Sequence, residues 1–85
     1  MMSTLATEAL ATLQEAERLL ATLRPASPDY DATVLLVADL RDICATLTDT
    51  RHASGANLAR AREIVYGAQA HLRIIRARQD RSGAT

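Results

Sequence analysis

Cys44, His52 and His71 are the side chains of this sequence best suited to nucleophilic or metal chemistry. A Cys44–His71 pair would form a thiol nucleophile with its base if their segments touched. A catalytic thiol needs a polar, accessible setting that lowers its pKa. Cys44 instead falls on an apolar stripe and reads as a small core hydrophobe. Neither histidine belongs to a Glu-x-x-His or His-x-x-x-His pair, so a helical di-iron or zinc site lacks its ligands. His71 reads as a half-buried packing residue and His52 as a solvated loop residue. The serines, Ser3, Ser27, Ser54 and Ser82, are neither preceded by Asp nor followed by Leu, which excludes a carrier-type attachment site. All ten basic residues are Arg, and without Lys there is no Schiff base and no P-loop lysine. No glycine-rich phosphate loop is present. The expectation is a non-enzyme with no catalytic residue, metal site or cofactor.

The elements that carry these residues are helices. Chain length sets one domain of 85 residues with a thin core, because so short a chain buries only about 60–65% of its unfolded surface. Nineteen residues are Leu, Ile or Val and seventeen are Ala, with no Phe or Trp. Such a core is aliphatic, and Ala lets helix axes come close. The spacing predicts helix 1 over about residues 4–23, with Ser3 as N-cap. Leu5, Ala9, Leu13, Ala16, Leu20 and Leu23 form its buried arc, widened by Leu10 and Leu19. Pro25 disfavours helix at Arg24. Ser27, Pro28 and Asp29 then supply a cap, an N1 proline and a first-turn acid. Helix 2 is predicted over 28–48, burying Thr33, Leu36, Val37, Leu40, Ile43, Cys44 and Leu47. Asp49–Ala56 is a second break, with Ser54-Gly55 as its turn signal and Asn57 as the next cap. Helix 3 is predicted over 57–79 on Leu58, Ala61, Val65, Ala68, Leu72 and Ile75, with residues 80–85 frayed. The expected fold is all-α, an antiparallel three-helix bundle that homodimerisation can complete.

The surface beyond these stripes carries the functional expectation. Formal net charge is zero, so bulk electrostatics favour no partner class. Acids concentrate on helix 2 and arginines on helix 3, and pairing between the two helices is the simplest account. Opposite the helix 3 core stripe lie Gly67, Ala70 and Ile74, with Ala77 at the margin. Leu35 points away from the helix 2 stripe. A mid-helix Gly costs about 1 kcal/mol relative to Ala, and a small-residue patch with an outward Ile admits a second helix. These four residues, Gly67, Ala70, Ile74 and Leu35, are the expected interface to a second copy or a helical partner. The alternative is a nucleic-acid accessory protein whose Arg62, Arg73 and Arg76 meet phosphates, with Tyr66 and Gln69 between them. No run of 18 apolar residues and no signal peptide are visible, so a cytoplasmic protein without a membrane span is expected.

The stretch Gly55-Ala56-Asn57-Leu58-Ala59-Arg60-Ala61-Arg62, followed by an apolar helix, resembles a group of small all-helical proteins. These are proteins of unassigned function encoded near natural-product biosynthesis genes in high-GC actinobacteria. Asp39-Leu40-Arg41 is similar to the same group. The chain departs from it at Arg73-Ile74-Ile75-Arg76-Ala77-Arg78, where an aromatic-containing close is expected. The resemblance implies a helical fold and carries over no activity and no catalytic residue.

Overall fold

The computed structural model describes residues 4–48 and 55–83. It contains three helices: α1 (Thr4–Thr22), α2 (Pro28–Thr48) and α3 (Gly55–Gly83). Among the described residues there is no strand. Ser3, His52 and the Asp49–Ser54 part of the expected break lie outside the described residues.

The α1–α2 connection is built by local hydrogen bonds. At the end of α1, the Leu23 amide donates to the carbonyls of both Leu19 and Leu20 at 3.2 Å. Pro25 then enters a turn closed by the Ser27 amide on the Arg24 carbonyl at 2.9 Å. Ser27 caps α2 as its sequence predicts, its Oγ accepting from the Asp29 amide at 3.2 Å. Asp29 and Asp31 place negative charge in the first turn, where the helix dipole favours it.

Two side-chain pairs set α3 against α1. Gln69 Nε2 donates to Thr12 Oγ1 at 3.3 Å, and Gln79 Nε2 donates to Thr22 Oγ1 at 3.2 Å. Both pairs span 57 residues, so α1 and α3 run parallel in one constant register. Each threonine hydroxyl passes its own proton back along α1, Thr12 to the Glu8 carbonyl and Thr22 to the Leu19 carbonyl, both at 2.7 Å. α2 runs antiparallel to both neighbours, tied to α1 by Arg41–Glu17 at 3.0 Å and to α3 by Arg78–Asp29 at 2.7 Å.

The core follows the predicted stripes with three adjustments. Ala61, Val65, Ala68, Leu72 and Ile75 of α3 are buried, and so are Thr33, Val37, Leu40 and Ile43 of α2. Leu36, Cys44, Leu47 and Leu58 pack around them half-buried. On α1 the buried arc is Leu5, Ala9, Leu13, Ala16 and Leu19, with Thr12 beside it. Leu19 is therefore central rather than flanking, and Leu20 is half-buried. Leu10, expected to widen the arc, is 50% exposed. Ala9 beside it and Leu5 nearer the helix start are buried, so Leu10 is exposed by its direction around α1, outside the arc that faces the other helices.

The ends of α3 also differ from expectation. The described stretch is helical from Gly55 to Gly83, so Gly55 and Ala56 of the expected break are helical and Asn57 lies within α3 rather than capping it. Gly55 does not adopt positive φ, so nothing at that residue imposes a turn. Residues 80–83, expected to fray, remain helical. Arg81 supports the last turn, its Nε donating to the Ala77 carbonyl at 3.4 Å, with its charge near the negative helix end.

Candidate functional site

The two sides of α3 divide its polar work. Gln69, Arg76 and Gln79 face α1, where Arg76 pairs with Glu15 at 3.0 Å. Arg78 faces α2. The expected pairing of α2 acids with α3 arginines thus occurs at Arg78–Asp29, whereas Asp31, Asp39 and Asp42 lie exposed on the outer side of α2.

The third side of α3 faces outward. Gly67, Ala70, Ala77 and Ile74 are exposed there, Ile74 by 51%. A Cβ built at Gly67 meets nothing within 4 Å, so this surface is open. Gly67 and Ile74 lie on the α2 side of that surface, on the same flank as Arg78, which follows Ile74 by one turn. On α2, Arg41 turns to α1, and Leu35 lies on the outer surface on the α3 side. The Asp29–Arg78 pair fixes the antiparallel register and puts Leu35 within a turn of Ile74. Leu35 is 67% exposed. Gly67, Ala70 and Ile74 thus share the outer face of α3, and Leu35 is exposed on α2 at nearly the height of Ile74.

Arg62, Arg73 and Arg76 occupy different settings. Arg76 is engaged by Glu15. Arg73 borders a shallow cleft of about 300 Å³ between α1 and α3 that also presents Glu8, Glu15 and Gln69. Arg62 is exposed nearer the start of α3. A larger open cleft of about 710 Å³ lies at the other end, between the α1–α2 turn and the last turns of α3. Its walls include Arg24, Ser27 and Gln79, and the Arg78–Asp29 ion pair already occupies its charged side.

Cys44 packs half-buried against the core, and burial pushes its thiol above its ordinary value. That is opposite to what a nucleophile requires. His71 is half-buried, as predicted, and its Nε2 is buried with no hydrogen-bond partner among the described residues. No three His, Cys, Asp or Glu side chains come together as metal ligands among the described residues. No described helix is long and apolar enough to cross a membrane.

Sequence reasoning missed two residues of the outer surface. Glu63 and Arg81 continue the exposed stripe at its two ends. Their signal was the same alternating spacing, hidden at the far end because helix 3 was expected to stop before Arg81. Comparison with family models, curated proteins and solved structures finds no match to this chain.

Proposed function

We propose that this chain is a non-enzymatic helical interaction protein, an adaptor or regulatory subunit that works through the outer face of α3, most simply as a homodimer. One observation carries the reading. Ile74 stands half out of the protein amid Gly67, Ala70 and Ala77, with the more exposed Leu35 beside it on α2. Exposed apolar side chains grouped on one face support a partner site, and a two-fold pair is the commonest assembly of like chains. A thin aliphatic core also leaves the bundle with much to gain from a second copy.

The arginine flank supports a phosphate partner less well. A phosphate approaching Arg73 and Arg76 would meet the carboxylates of Glu8 and Glu15 in the same cleft. A cytoplasmic setting suits a chain whose lone cysteine is a thiol.

Ile74→Asp tests the interface. The substitution is expected to leave the far-ultraviolet helix signal intact and to convert a dimer into a monomer in sedimentation velocity. Wild-type association should weaken less with salt than nucleic-acid binding, whose affinity would fall steeply. An unchanged sedimentation profile for Ile74→Asp counts against this surface as the contact.

A further inference from the structure

The outer stripe of α3 is longer than its apolar centre. Glu63, Gly67, Ala70, Ile74, Ala77 and Arg81 follow one another at steps of four, three, four, three and four residues. That alternation keeps all six on one side of the helix, and all six are exposed. An acid closes one end and a base closes the other. Neither has an ion-pair partner among the described residues; Arg81 donates a hydrogen bond to the Ala77 carbonyl of its own helix.

We propose that this stripe packs against the same stripe of a second copy, antiparallel about a two-fold axis midway between Ala70 and Ile74. The inference rests on the homodimer reading above and adds its direction and register. In this arrangement Ala70 faces the partner's Ile74, Gly67 faces the partner's Ala77, and Glu63 faces the partner's Arg81. The charges at the two ends of the stripe favour a second copy in the reversed direction. A stripe with opposite charges at its two ends complements itself only when reversed. A parallel pair would set Glu63 against Glu63 and Arg81 against Arg81, and like charges held together destabilise. Small residues on either side of Ile74 allow the close axial approach that a helix pair needs. A separate observation agrees with the position of the axis. The Asp29–Arg78 register sets the exposed Leu35 of α2 at the height of that axis.

Two measurements on the full chain test the proposal. In a Cys44→Ala background, Gly67→Cys and Ala77→Cys variants are mixed and mildly oxidised. Cross-linking is expected between the two variants and not within either one. In the antiparallel register two copies of residue 67 stand about 15 Å apart along the axis, too far for a disulfide. Separately, Glu63→Arg and Arg81→Glu should each weaken dimerisation about tenfold, and the double variant should restore it. Circular dichroism confirms that each variant is folded. Self-cross-linking of Gly67→Cys in a dimeric chain overturns the antiparallel register and leaves the dimer reading standing. A double charge swap no tighter than the single variants does the same. A chain that stays monomeric at every concentration overturns both.

Discussion

The two faces of α3 are built on the same spacing and have opposite fates. Ala61, Val65, Ala68, Leu72 and Ile75 alternate steps of four and three along the inner face and are all but inaccessible. Gly67, Ala70, Ile74 and Ala77 alternate likewise along the outer face and stand in the open. What separates them is volume. The inner stripe sets Val, Leu and Ile between alanines, and each large side chain buried contributes about 1.5–3 kcal/mol. The outer stripe has a single large member, Ile74. Folding therefore commits the inner face to α1 and α2. The outer face is left with too little to compete for the core, and the proposed partner contact would draw on what remains exposed. One helix can thus hold a domain together and offer a contact, with side-chain size deciding which face does which.

The largest effect that could break this contrast comes from truncating the same kind of side chain on either face. Leu72→Ala removes a fully buried side chain and should cost about 2–5 kcal/mol. In dilute solution, where the chain is monomeric, Ile74→Ala should cost less than about 0.5 kcal/mol. Urea unfolding at low protein concentration measures both. Equal losses would mean that Ile74 is part of the core and that the two faces do not differ.

How much of this was legible in the sequence depends on how far each position leans on its neighbours. The inner stripe of α3 was readable residue by residue, because its large side chains recur at one spacing and nothing competes with them. The start of α2 was readable because Ser27, Pro28 and Asp29 act through bonds within a turn. The division between Leu10 and Leu19 was not readable. Both flank the α1 arc, and the arrangement of the neighbouring helices decided between them: α3 packs on the Thr12 side of α1, which is the side of Leu19. Thr12 escaped notice because its burial depends on the Glu8 carbonyl and on a glutamine far along the chain. At the candidate site, the apolar centre was visible from Gly67, Ala70 and Ile74. Its charged ends were not, because Arg81 was assigned to a frayed tail.

A smaller effect sharpens the contrast at Gly67. On the inner face any added volume would meet packed neighbours, whereas a methyl at Gly67 meets open space. Gly67→Ala should therefore stabilise the monomeric bundle by about 1 kcal/mol, through helix propensity alone. Thermal unfolding should shift upward by about 4–8 °C. A lower melting temperature would show that the outer surface at Gly67 is occupied.

The smallest expected effect concerns Cys44, whose half-buried thiol belongs to the inner side of α2. Burial penalises the thiolate and raises the folded pKa above the unfolded one. The protonated thiol is thus the form that the fold favours. Its contribution to stability is fully present below the unfolded thiol value and is lost as pH rises through the higher folded value. The comparison must be with Cys44→Ala measured alongside, because that variant carries every other group unchanged. Between about pH 7 and pH 10, wild-type stability should fall relative to Cys44→Ala, and the gap between the two should be constant at the neutral end. Parallel curves across the whole range would mean that the thiol is as well solvated in the folded chain as in the unfolded one. Cys44 would then stand with the outer residues rather than with the core.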